Sequence, residues 1–129
     1  MIYIDSSVAL AHLFGEGRVP PDSLWREQLT SSRILEYEIW NRIHARALGQ
    51  SLGEQTRELL NEVALMALTP DVLERALEPF PKVVRTLDAL HLASIEFLRG
   101  KGRPVELASY DNRLNAAAQA LGIPLASSA

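Results

Sequence analysis

Residues 1–10 read MIYIDSSVAL: a short apolar run of strand character over residues 1–4, then Asp5, then two serines before apolar residues return at helical spacing in Val8, Ala9, Leu10 and Leu13. Residues 105–114, VELASYDNRL, follow the same plan, with an apolar strand, then Asp111, then the start of a helix. Strands that alternate with helices in this way predict an α/β/α sandwich built on a central, mainly parallel sheet. Asp5 and Asp111 then lie at the carboxyl ends of strands, the edge where open α/β sheets put their ligand sites. Each is also well placed as a helix N-cap, and the two segments alone leave cap and ligand both open.

Between these units the chain reads as mostly helical. Gly15, Gly17, Pro20 and Pro21 end the first helix, and a second is expected over residues 22–29, with the polar residues of TSSRI (30–34) as a cap for the next. That next helix, residues 35–48, carries Leu35, Ile39, Ile43 and Ala47 on one face, with Gly49 as its stop. Residues 53–67 read as an amphipathic helix that buries Leu59, Leu60, Val63 and Met66. In LTPDVLERAL (68–77), Thr69 is a cap, Pro70 takes the first helical position and Asp71 lies in the first turn. Residues 86–98 are apolar around most of a helix, which predicts a central position. Residues 112–121 form a last helix closed by Gly122, and IPLAS (123–127) reads as a final short strand.

The 129 residues suit one domain, 1–129, and 47% apolar content suits an ordinary soluble core. A net charge of −3 excludes binding to nucleic acid by bulk electrostatics, so any such role needs local cations. With no cysteine there is no disulfide, thiolate nucleophile or thiolate zinc site, which fits a reducing compartment. No signal peptide or membrane-spanning run is evident, and a soluble, cytoplasmic protein without membrane attachment is expected.

Two further acids resist a reading as surface charge. Asp88 sits in RTLDALHLASIEF (85–97), where Leu87, Leu90, Leu92 and Ile95 fill the neighbouring turns. A buried carboxylate must protonate, pair with a cation such as Arg85, or bind a metal. Glu38 lies in SRILEYEIWNRIHARA (32–47) on a stripe with Asn41, Arg42 and Ala45. By periodicity alone it is an exposed partner for Arg42, and Glu36 points about 200° away around the same helix.

Four segments, YIDSSVAL (3–10), EIWNR (38–42), RTLDALHLA (85–93) and SYDNRL (109–114), together resemble a PIN-domain nuclease, and the length resembles the VapC-type toxins of toxin–antitoxin pairs. The resemblance implies a PIN-like α/β/α sandwich with four acids holding Mg²⁺ or Mn²⁺. Matched motif by motif, the acids are Asp5, Glu38, Asp88 and Asp111, and an E-x-x-N/R pattern ending at Asn41 favours Glu38 over Glu36. Tyr37 four before Asn41 and the charged RILE depart from the usual pattern and keep Glu36 as the competing acid. Ser6 and Ser109 stand where the family places small hydroxyl residues.

The implied function is metal-dependent, single-strand-specific endoribonuclease activity by in-line attack of a metal-activated water, as the toxin of a VapBC-type pair. Implied partners are an RNA substrate, a cognate antitoxin protein and a second copy in a homodimer. Alternatives are an RNA-processing PIN nuclease without an antitoxin, or a non-catalytic RNA- or protein-binding PIN domain. A phosphatase of the haloacid dehalogenase type would need a second Asp two residues after the first, where this chain has Ser7. Arg42, Arg46, Arg85 and Arg113 are candidate phosphate holders, and Tyr37, Trp40 and Tyr110 could stack on unpaired bases. His91, three residues after Asp88, is expected to make a local hydrogen bond.

Overall fold

The structure, a computed structural model, describes residues 1–127; Ser128 and Ala129, the last two residues of the expected domain, lie outside the described residues. The order of elements is β1 (Ile2–Ile4), α1 (Ser6–Phe14), a 3-10 helix (Asp22–Arg26), β2 (Leu29–Ser32), α2 (Ile34–Ala45), α3 (Gly49–Asn61), β3 (Val63–Met66), α4 (Pro70–Ala76), α5 (Thr86–Gly100), β4 (Glu106–Ala108) and α6 (Asn112–Ala120). Four parallel strands form one sheet in the order β3-β2-β1-β4.

Alternation along β1 builds a core on each face of that sheet. Ile2 and Ile4 pack with Val8, Leu13, Leu35, Ile39 and Leu59 on the side of α1, α2 and α3. Tyr3 points the other way, to Leu92, Ile95, Leu107 and Leu114 on the side of α5 and α6. The sandwich expected from the strand–acid–helix units is the one observed.

Two strands lie where the sequence pointed to helix or cap. Residues 29–32 are not the end of a helix followed by a cap but the buried strand β2. Two of its hydroxyls satisfy themselves on backbone carbonyls, Thr30 Oγ1 donating to Ala64 O at 2.8 Å and Ser31 Oγ to Ile4 O at 2.7 Å, while Ser32 Oγ accepts from Ile34 N at the start of α2 at 3.1 Å, as the expected cap would. That pairing removes the penalty that makes Ser and Thr look like surface residues. The expected helix 53–67 runs instead from Gly49 to Asn61, and Val63 and Met66 belong to β3. A four-residue apolar run has no periodicity that separates strand from helix.

Three boundaries also move. Gly49 is the first residue of α3 rather than a stop, and the left-handed turn after α2 falls on Ala47, at φ 54°. IPLAS forms only a parallel bridge from Leu125 to Leu107. Gly15 and Gly122 end their helices as expected, both at positive φ that suits a residue without Cβ. Among the described residues no helix is long and apolar enough to cross a membrane.

The left-handed conformation costs an L-residue about 1–2 kcal/mol, and the extra unfolded-state freedom of glycine recovers only part of that, about 0.4–1 kcal/mol. Ala47→Gly is therefore expected to raise stability by about 1 kcal/mol in urea denaturation. A loss of stability would show that the turn is not strained.

Candidate functional site

The parallel sheet sends the chain from each strand end toward a helix start at the same edge. Asp5 follows β1 and is the N-cap of α1, accepting from Val8 N at 3.4 Å. Asp111 follows β4 and caps α6, accepting from Arg113 N at 2.9 Å and Leu114 N at 3.4 Å. Asp88 lies in the first turn of α5, and Glu38 one turn into α2. All four acids line one cavity of about 500 Å³, together with Ser6, Ser7, Arg42, Arg85 and His91. Cap and cavity roles thus coexist at Asp5 and Asp111. Glu36 faces elsewhere: it pairs with Arg33 at 3.1 Å and lines a neighbouring groove with Tyr37, Trp40, Asn41 and His44.

Asp5 is 5% exposed, and both its oxygens are held. Ser7 Oγ donates to Oδ1 at 2.6 Å and Ser109 Oγ to Oδ2 at 2.8 Å. Each hydroxyl in turn accepts a backbone N–H, Ser7 from Tyr110 at 2.8 Å and Ser109 from Asp111 at 2.9 Å. With the backbone donor supplied, each serine hydrogen is left to point at the carboxylate. Burial pushes the Asp5 carboxyl above its usual value, while the Ser7 and Ser109 hydroxyls, then His91 and the Val8 N–H, pull it down.

Asp88 and Asp111 share a cation. Arg85 Nε lies 3.6 Å from Asp88 Oδ2, and an Arg85 terminal nitrogen lies 3.4 Å from Asp111 Oδ2. Arg42 also lines the cavity, whereas Arg46 pairs with Glu16 at 3.0 Å at the surface. Tyr37 is 71% exposed beside Glu38, while Trp40 packs partly into the core and stacks on His44.

His91 departs most from expectation. Its hydrogen bonds are not local: Nε2 lies 2.7 Å from Glu38 Oε1 and Nδ1 lies 2.6 Å from the Tyr3 hydroxyl. The signal was a lone imidazole in an otherwise apolar central helix, which needs buried polar partners.

The donor set consists of carboxylate oxygens, the ligands that hard divalent cations prefer, and Arg85 already puts positive charge between two of them. The residues therefore fit such an ion in kind. Among the described residues, no three His, Cys, Asp or Glu side chains stand together as a group able to hold one metal ion.

The sequence profile of the PIN domain matches residues 2–120. The chain belongs to the PIN domain family. No curated protein matches it by sequence. In fold, this PIN domain is similar to a protein of a toxin–antitoxin complex from Klebsiella pneumoniae, with a TM-score of 0.64 and 18% identity over 93% of this chain and 94% of that one. It is also similar to VapC20 of Mycobacterium tuberculosis, a sarcin-ricin loop cleaving toxin, with a TM-score of 0.68 and 21% identity over 91% and 95% of the two chains.

Asp5 of the PIN domain binds its proton more tightly in the folded than in the unfolded chain. Its contribution to stability is complete below the ordinary value of 3.8 and is lost as pH rises from there through the elevated folded value. Metal-free wild type is therefore expected to lose stability relative to Asp5→Asn as pH rises. Thermal melts of both proteins from roughly pH 4 to 8 test this, and a difference in melting temperature that does not change with pH contradicts it.

Proposed function

We propose that this PIN domain is a metal-dependent endoribonuclease that cuts single-stranded RNA, and that it acts as the toxin of a VapBC-type pair with a cognate antitoxin protein. The observation that carries the reading is the meeting of Asp5, Glu38, Asp88 and Asp111 in one cavity at the carboxyl edge of the sheet of a PIN domain. The similar folds in a toxin–antitoxin complex and in a sarcin-ricin loop cleaving toxin support the toxin assignment, and the cleaving activity in the name of the second supports RNA as the substrate class.

Asp5, Glu38, Asp88 and Asp111 would hold Mg²⁺ or Mn²⁺. A hard divalent cation, when bound, supplies Lewis acidity at a phosphoryl oxygen and makes water a better nucleophile. The rest is done by the chain. Ser7 and Ser109 keep Asp5 from turning out of the cavity. Arg42 offers a cation at the cavity wall for a phosphate, and Arg85 can exchange its carboxylates for the same purpose. The exposed ring of Tyr37 beside Glu38 gives an unpaired base a stacking surface, which suits a single strand better than a duplex.

Purified protein with Mn²⁺ or Mg²⁺ is expected to cleave single-stranded RNA and to leave the same sequence in a duplex intact. If cation chemistry supplies several kcal/mol at the transition state, Asp5→Asn or Asp88→Asn should each lower cleavage on the order of 10²-fold or more. Unchanged cleavage in both variants, read by mapping new RNA ends, would sink the assignment. Expression of wild type without an antitoxin is expected to arrest growth, and expression of Asp88→Asn is not.

A further inference from the structure

The bonds at His91 form a continuous chain across four elements, buried at Tyr3 and part-buried at Glu38. The Ser32 N–H, at the end of β2, donates to the Tyr3 hydroxyl oxygen at 3.1 Å. The same hydroxyl lies 2.6 Å from His91 Nδ1, and His91 Nε2 lies 2.7 Å from Glu38 Oε1. Tyr3 is fully buried and His91 is 1% exposed, so water does not compete for the bond between them, while the Glu38 end of the chain opens to the cavity. The two rings meet edge to face, with centroids 5.6 Å apart, which limits swing of the imidazole.

Hydrogen counting orients the chain. An ionised carboxylate only accepts, so His91 must carry a hydrogen on Nε2 to bond Glu38. The Tyr3 oxygen already takes the Ser32 hydrogen, and its own hydrogen is the natural occupant of the 2.6 Å gap to Nδ1. Glu38 Oε1 is then engaged, while Oε2 meets the Ser6 hydroxyl only at 3.4 Å.

We propose that Tyr3 and His91 are positioning residues: they hold the imidazole with its hydrogen on Nε2 and fix Glu38 by Oε1, so that Oε2 is the oxygen presented to a divalent cation. The inference rests on the metal-dependent reading above. It gives β1 two tasks, since the strand that leads into Asp5 also sets, through Tyr3, the orientation of an acid on α2.

The test combines one spectroscopic and one binding measurement. The imidazole ¹⁵N shifts of His91 in wild-type, metal-free protein are expected to report hydrogen on Nε2 and a bare Nδ1; hydrogen on Nδ1 alone overturns the proposal. In Mn²⁺ titrations followed by electron paramagnetic resonance, His91→Leu is expected to bind Mn²⁺ about 10–100-fold more weakly, the usual loss when a ligand's supporting hydrogen bond is removed. His91→Gln, whose amide can donate from near the Nε2 position, should recover most of that loss. In a Glu38→Ala background, His91→Leu should add nothing, as expected of two residues acting as a unit. Tyr3→Phe, which removes a single oxygen, is expected to weaken Mn²⁺ binding in the same direction and covers the case in which His91→Leu does not fold. If Tyr3→Phe and folded His91→Leu bind Mn²⁺ as wild type does while Asp88→Asn does not, the relay is wrong and the metal site stands. If wild type binds no more Mn²⁺ than Asp88→Asn, the metal-dependent reading falls and takes the relay with it.

Discussion

Four carboxylates, Asp5, Glu38, Asp88 and Asp111, line one cavity at the carboxyl edge of the sheet, and holding charged groups there is the constraint to which that edge is built. Helix amino ends favour them: Asp5 and Asp111 are N-caps, and Asp88 sits in a first turn. Each such contact is worth about 0.3–1 kcal/mol. A cation adds to this. Arg85 does so between Asp88 and Asp111, and the pairing is loose enough, at 3.4 and 3.6 Å with a largely exposed guanidinium, to be exchanged for something better.

The four acids are not held alike. Asp5 is fixed by two serine hydroxyls, each locked by a backbone N–H, and Glu38 is gripped by an imidazole. Asp88 and Asp111 share the exposed guanidinium of Arg85, and Asp111 is held as well by the backbone N–H groups of Arg113 and Leu114. An ion or a phosphate that draws Arg85 away changes the pairing of these two acids and leaves the bonds to Asp5 and Glu38 in place.

What could be read from residues alone follows the same physics. The strand–acid–helix units around Asp5 and Asp111 were legible because apolar runs broken by an acid have few other uses, and they led to the sandwich and to its edge. Asp88 stood out because a carboxylate among leucines needs a reason. Strands β2 and β3 did not stand out: the Thr30 and Ser31 hydroxyls resemble loop chemistry until the carbonyls they bond are known, and Val63–Met66 is too short to show a period. The tie from His91 to Tyr3 was hidden for another reason, since the partner lies 88 residues away on a different element. Pairing across such a separation is a property of the sheet, not of the segment.

The alternation of β1 has a consequence for how this chain can vary. Ile2 and Ile4 fill one core, Tyr3 fills the other, and Asp5 follows at a fixed offset. A single inserted or deleted residue here would turn both isoleucines and the tyrosine onto the wrong faces at once. The segment can therefore drift by substitution but not in length. Residues 101–104, exposed and at the opposite end of the sheet, carry no such indexing, and that end is where the chain can accept added length.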